Sequence, residues 1–281
     1  MDLDGLKAWV GRCTSADDMA SLPPVAALSA TLDRSDPDPR PGDALPPLWH
    51  WLYFLEAKPA SELGPDGHPK RGGFLPPVPL PRRMWAGSRL SFVKPIPLGS
   101  AIRRESEILK VEVKEGRTGT LVFVTVKHLI KVGGTVAVDA EHDIVYRNAP
   151  KPGDPAPQPK AAPTDGAWSR ALIPDPVLLF RYSALTFNGH RIHYDHPYVT
   201  QVEGYPGLVV HGPLQATLML DLVRRSRPEA RIARFSFRAL SPVFADQAIT
   251  VGGRPEGSNV ALWVANDAGQ LAMDGDAVLE A

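Results

Sequence analysis

Val209 and Val210 run into His211-Gly212-Pro213, and the Leu214, Leu218, Leu220 and Leu222 that follow describe a helix that is apolar on most of its faces. Such a helix must be covered on most sides, which excludes a surface position and calls for a sheet that curls around it. Its first turn leaves backbone N–H groups without intrahelical partners beside the positive end of the helix dipole. Gly212 is therefore a candidate donor to an oxygen that gains negative charge during a reaction.

Two patterns recur in the same order on either side of a compositional break. Arg89-Leu90-Ser91-Phe92, ahead of Pro95-Ile96 and Ala101-Ile102, is matched by Arg234-Phe235-Ser236-Phe237, ahead of Pro242-Val243 and Ala248-Ile249. Gly134-Thr135-Val136-Ala137-Val138-Asp139 is echoed by Gly269-Gln270-Leu271-Ala272-Met273-Asp274, each after an alternating segment that reads as a strand entering a hairpin. Between the copies, residues 148–166 (NAPKPGDPAPQPKAAPTDG) have the proline content of a linker. The expected organisation is a first half over 1–147, a linker over 148–166 and a second half over 167–281. Each half is expected to wrap an antiparallel sheet around one helix, an α+β fold built twice. The helix of the first half is expected over 47–55 (PLWHWLYFL).

Composition narrows the function classes. Thirty-one basic residues balance thirty-one acidic ones, so no overall field attracts nucleic acid. Cys13 is the single cysteine and forms no intrachain disulfide, and MDLDGLKAWVGRC lacks the basic start and long apolar run of a secretory signal. No stretch reaches the roughly twenty apolar residues of a membrane span. The expectation is a cytoplasmic protein with no membrane or nucleic-acid partner.

The layout resembles the hot dog fold, and the second half resembles the MaoC-like hydratases and dehydratases of acyl thioesters. Their signature loop has the form D-x-N-P-L-H; here Asn188-Gly189-His190-Arg191-Ile192-His193 puts His193 on the motif histidine and Asn188 on the motif aspartate. V-V-H-G matches the family's start of the hot dog helix and puts Gly212 at the expected oxyanion N–H. Residues 72–87 (GGFLPPVPLPRRMWAG) look like the degenerate N-terminal dehydratase domain of this version. The form F-N-x-H-R-I-H-Y-D is similar to a subgroup that includes mitochondrial 3-hydroxyacyl-thioester dehydratases and bacterial mesaconyl-C4-CoA and itaconyl-CoA hydratases. The resemblance implies a double hot dog hydro-lyase acting on a short-chain CoA thioester, without metal or redox cofactor, with the first half shaping an acyl tunnel. A homodimer is compatible with it, although duplication already supplies the pairing of two hot dogs.

Water addition to an enoyl thioester needs a base for the water, an acid for the α-carbon and a donor for the thioester oxygen. Histidine suits the first two near neutrality, so His193 is the acid/base candidate. Asn188 cannot take a proton, but its amide can hold the water. Asp195, two residues beyond His193, would share its side in an extended segment and could set the imidazole tautomer or act as the missing acid. Gly212 would donate to the thioester oxygen. Arg82 and Arg83 are candidates for CoA phosphates or a substrate carboxylate, Arg181 and Arg191 for the carboxylate of a dicarboxylic acyl group, and Phe74, Leu75 and Trp85 for the tunnel wall.

Plainer readings stand beside these. Asn188-Gly189 is also a tight-turn dipeptide, His211 also a helix cap, Tyr194 also a packed aromatic, and the arginines also solvated surface groups. His190, His193, Asp195 and His196 are proper zinc ligands by type, but their spacing matches no familiar closed site. A non-catalytic acyl-thioester-binding subunit and a thioesterase on the same fold are the competing functions.

Overall fold

A computed structural model of the protein describes residues 4–116, 119–148 and 158–280. Of the expected linker, residues 149–157 lie outside the described residues. The first half contains β1 (Cys13–Met19), α1 (Leu22–Thr31), β2 (Arg82–Phe92), β3 (Ala101–Gly116), β4 (Gly119–Val132) and β5 (Thr135–Arg147). The second contains β6 (Trp168–Leu172), α2 (Pro176–Leu185), α3 (His196–Gln201), α4 (Gly212–Ser226), β7 (Ile232–Ala239), β8 (Ile249–Glu256), β9 (Asn259–Ala265) and β10 (Leu271–Leu279).

All ten strands form one antiparallel sheet in the order β1-β3-β4-β5-β2-β7-β10-β9-β8-β6. Outward from the centre, 2-5-4-3-1 is mirrored by 7-10-9-8-6, the pattern expected of a duplicated unit joined through its own edge. The repeated tetrapeptides form that seam: Leu90 pairs with Phe235 and Ser91 with Arg234.

α4 is the covered helix that its sequence demands. Leu214 through Val223 are all buried, against inward residues of β8, β9 and β10. One turn of this rod carries a charge that its apolar reading passes over. Asp221, 2 % exposed, accepts from Arg34 at 2.5 Å, Arg170 at 2.6 Å and Arg225 at 2.7 Å, which ties α4 to β6 and to the loop after α1. A carboxylate is tolerated there because charge and hydrogen bonds from three guanidiniums replace its hydration.

The first half departs from expectation. Over 47–55 only Trp49–Leu52 forms a 3-10 turn, so there is no counterpart of α4. Equivalent bonds locate the reason: Leu45 donates to Ile96 at 2.9 Å as Val210 donates to Val243 at 2.9 Å, which sets Pro46-Pro47 where the second half has His211-Gly212. Leu48 and Phe54 adopt left-handed backbone (φ 69° and 59°), conformations that interrupt a right-handed helix. Tyr53 Oη, donating to Ser21 O at 2.5 Å, and Phe54 N, donating to Asp18 Oδ2 at 2.6 Å, hold the chain out of helical register. Where a helix would lie against β2–β5, a cavity of about 860 Å³ remains.

The buried Asp221 cluster predicts a stability effect. Asp221→Ala leaves three guanidiniums around an unfilled site and should cost about 3–5 kcal/mol. Urea denaturation monitored by far-UV circular dichroism checks it.

Candidate active site

The site is assembled where the loop after α2 meets the start of α4. Asn188 N donates to Ser183 O at 2.8 Å, and Asn188 Oδ1 accepts from His190 N at 3.0 Å, closing a local turn. The turn reading of Asn188-Gly189 is thus correct, and Asn188, whose Oδ1 is committed to that turn, also lines the cavity. A 3-10 turn over Arg191–His193 then carries His193 into the interior, 7 % exposed. His193 Nδ1 lies 2.7 Å from the Val209 carbonyl. A carbonyl only accepts, so Nδ1 carries the hydrogen and Nε2 keeps its lone pair.

His193 stacks on His211 with ring centroids 3.7 Å apart and planes at 19°. His211 is the residue ahead of Gly212, so the imidazole abuts the N-terminus of α4. Gly212 N–H, at the first helical position, has no intrahelical acceptor. A Cβ there would meet nothing nearer than Met273 Cε at 4.0 Å, so packing within the chain does not demand a glycine. His211 is fully buried; its Nε2 lies 2.8 Å from Ser183 Oγ, while Nδ1 has no partner. Two stacked imidazoles resist carrying charge together. Burial, opposed by the bond to Val209 and assisted by the field of His68, lowers the His193 pKa to about 4. Burial and the field of His193 hold His211 well below its ordinary value. His193 is therefore a neutral base at neutral pH rather than a half-protonated one.

A segment of the first half covers this centre. Arg191 N donates to Asp66 O at 2.9 Å, and Gly67 (φ 86°) approaches the Gly189 carbonyl so closely that any Cβ would overlap it. This docking brings His68 against His190, with centroids 4.1 Å apart, and His190 edge-on to His193 at 5.4 Å. Asp66, His68 and His190 hold ligand-type atoms within 4.8 Å of one another. Asp66 spends its carboxylate on His68, accepting from its N at 3.1 Å and meeting its Nδ1 at 3.2 Å. Neither His193 nor Asp195 belongs to this group.

The cavity opens beside Asn188 and Pro213 and runs along the inner face of β2–β5. Alternation on the strands decides its lining: Arg104 on β3, His128 and Ile130 on β4, Ala140 and His142 on β5, and Arg83, Trp85, Ser88 and Leu90 on β2. Ser106 Oγ lies 2.7 Å from His128 Nδ1, and Trp85 packs on His142 at 3.9 Å. Burial lowers the pKa of His50 to about 3 and of His128 to about 4, so these imidazoles are neutral, set with the arginines among Trp85, Leu90 and Ile130. Phe180 (64 % exposed) and Phe187 (59 % exposed) form an apolar rim at the mouth with Leu55 and Tyr194.

Several residues singled out by sequence lie elsewhere. Asp195 does not face the imidazole: its Oδ1 caps α3 by accepting from Tyr198 N at 3.0 Å, and its Oδ2 accepts from Arg191 Nε at 2.9 Å, because the 3-10 turn breaks the extended geometry that would have aligned it with His193. Arg191 is committed to Asp195, to the Pro65 carbonyl at 2.9 Å and to the Tyr198 ring. Arg181 is exposed on α2, next to inward-facing Tyr182, and lines no part of the cavity. Arg82 turns outward to the Glu203 carbonyl at 2.5 Å and the Tyr205 ring, while its neighbour Arg83 turns inward. Phe74 and Leu75 pack on a separate apolar cluster around Val78, Val124 and Tyr146 rather than on the cavity. Trp85 does line it. Reasoning from sequence missed Ser183, His68, His142 and Arg104. The alternation of β4 would place His128 on the inner face, and Val138-Asp139-Ala140-Glu141-His142-Asp143-Ile144 of β5 would do the same for His142, but no local pattern signals the other three.

Comparison with known proteins agrees with this architecture. The model of the hydroxyacyl-thioester dehydratase type 2 family matches residues 48–245. The chain is 46 % identical over 271 residues to a mesaconyl-C(4)-CoA hydratase of Chloroflexus aurantiacus, covering 95 % of both chains. It is 30 % identical over 233 residues to the mitochondrial hydroxyacyl-thioester dehydratase type 2 of Schizosaccharomyces pombe, covering 74 % of this chain and 77 % of that one. A Mycobacterium tuberculosis protein described as a double hot dog superposes with a TM-score of 0.62 at 16 % identity, over 99 % of this chain and 98 % of that one. With a ten-stranded sheet mirrored about its seam and a histidine loop at the head of its one long helix, the chain belongs to the hydroxyacyl-thioester dehydratase type 2 family and is a hydro-lyase.

Proposed function

We propose that the protein catalyses reversible hydration of a short-chain enoyl-CoA of the C5 dicarboxylic class, such as the C4 thioester of mesaconate. The observation that carries this reading is the stacking of a neutral His193, with its Nε2 lone pair free, on the His211 that precedes the Gly212 N–H, beside a cavity lined by Asn188 and Pro213. The relative of 46 % identity supports the substrate class, as do Arg83, Arg104 and Ser88 set into an otherwise largely apolar cavity wall. The exposed Phe180 and Phe187 suit the pantetheine arm of CoA.

In the forward direction His193 Nε2 takes a proton from water as the water oxygen bonds to the β-carbon, with the Asn188 amide donating to that oxygen. The thioester carbonyl becomes an enolate held by Gly212 N–H and the helix dipole. The proton on His193 then passes to the α-carbon, so one water is added and the imidazole returns to its starting form. Nothing in this sequence calls for a metal or redox cofactor. Addition of a chelator should leave turnover unchanged. A cytoplasmic location is part of the same reading.

Disappearance of the conjugated enoyl-thioester absorbance on mixing tests the reaction. Release of free CoA thiol would favour a thioesterase, and binding without absorbance change a non-catalytic subunit. His193→Ala should lower kcat by about 10²–10⁴-fold. Gly212→Pro, which copies the Pro46-Pro47 of the first half and removes one donor, should lower kcat by about 10²-fold with the circular dichroism spectrum preserved.

The acid limb is set by burial. Activity should hold from neutrality down and fall as pH drops through about 4, where His193 gains its proton. Stability follows from the same groups. His193 and His128 bind protons more weakly folded than unfolded, so stability is full above their ordinary pKa of 6.5 and is lost as pH falls from there toward about 4. The slope is at most about 1.4 kcal/mol per pH unit for each histidine. Thermal melts across that window check it.

A further inference from the structure

We infer that Arg83 is the specificity residue of the cavity, binding a carboxylate carried on the β-carbon of the enoyl group. The inference rests on the hydratase reading and adds to it the group that selects the substrate. In such an acyl group the carboxylate is bonded to the carbon that receives water, so the cation that recognises it must sit near the reacting end and be free to pair. Two arginines face the cavity, Arg83 and Arg104.

Position separates them. Arg83 lies opposite Tyr146 on β5, two residues from Trp85 on the same face of β2, and its charge acts on His142 beside Trp85 and on His68 and His190, the two imidazoles packed toward His193. Arg104 lies opposite Ile130 on β4, and its charge acts on His50 and His128, deeper in the first half. Pairing separates them again. Neither arginine forms an ion pair among the described residues, but Arg104 stands in the fields of Glu56 and Asp18 and over the Phe54 ring, whereas the group beside Arg83 is the neutral Tyr146 hydroxyl. Glu56 is the one acid among the described residues that line the cavity, and its field acts on Arg104. Arg82, beside Arg83 in sequence, is satisfied by Glu203 on the opposite face of the strand. A half-buried guanidinium without a counter-ion, on the wall of a cavity, is placed to take one from the ligand, and its planar fork matches a carboxylate with two parallel hydrogen bonds.

The test compares two thioesters of the same shape. The C4 thioester of mesaconate and 3-methylcrotonyl-CoA differ only in that a carboxylate on the β-carbon is replaced by methyl. The readout is the ratio of their kcat/KM values, in which any loss of folded enzyme cancels. The parent should favour the carboxylate, Arg83→Met should lower the ratio by about 100-fold, and Arg83→Lys should restore part of it. Should Arg83→Met not fold, Arg83→Gln gives the same comparison. A ratio unchanged in these variants, whether both rates fall together or neither falls, overturns the inference, as does a loss of ratio in Arg104→Met instead. A parent that hydrates 3-methylcrotonyl-CoA or crotonyl-CoA but not the carboxylated thioester overturns the inference alone and leaves the hydratase reading standing. A parent that hydrates no enoyl-CoA removes both.

Discussion

The antiparallel seam between β2 and β7 is the constraint on which the rest of the molecule depends. It turns two five-stranded units into one sheet with a mirrored strand order, and it sets their inner faces side by side. Only with that seam in place can residues 64–69 of the first half reach the loop after α2, where Gly67 fits against Gly189 and His68 against His190. In the proposed reading the site is therefore shared: the second half supplies the base and the helix end, and the first half supplies the cover and the acyl cavity.

Duplication has been followed by division of labour, and proline marks the division. At the head of α4, His211-Gly212 keeps an N–H at the point where the helix dipole is strongest. At the matching place Pro46-Pro47 has no N–H to offer, and left-handed residues on either side of the short turn stop a helix from growing. The helix that is missing from one half is the volume available to substrate. The helix that is present in the other is closely wrapped, and its buried Asp221 is matched by arginines from β6 and from the loop after α1, so the same element that presents the active-site amide also clamps the two halves together.

Burial tunes the chemistry as much as residue identity does. Histidine at its ordinary pKa would be half protonated near neutrality, but His193 is enclosed by His211, His190 and the Val209 carbonyl and stays neutral to about pH 4. One hydrogen bond to a backbone carbonyl performs the orienting task that a neighbouring carboxylate was expected to perform. Asp195 is left to cap α3 and hold Arg191, a structural duty that shapes the loop rather than the proton transfer.

Much was legible in the chain itself. An apolar run after Gly212 required a wrapped helix, repeated strand patterns required two similar units, and the spacing of Asn188, His193 and Gly212 pointed to a histidine loop packed against a helix end, because each of these is a local signal read within about thirty residues. What only the tertiary structure decided is which side chains share the cavity. Arg82 and Arg83, adjacent and chemically identical, part to opposite faces of one strand, and one finds Glu203 while the other finds none. His68 and Arg104 reach the cavity from segments far from the histidine loop, and Arg181 and Arg191, close to it in sequence, do not. Local periodicity says which face of an element is buried; which elements face each other across an enclosed volume is fixed by strand pairing over long sequence separations, and that information is not carried by any one segment.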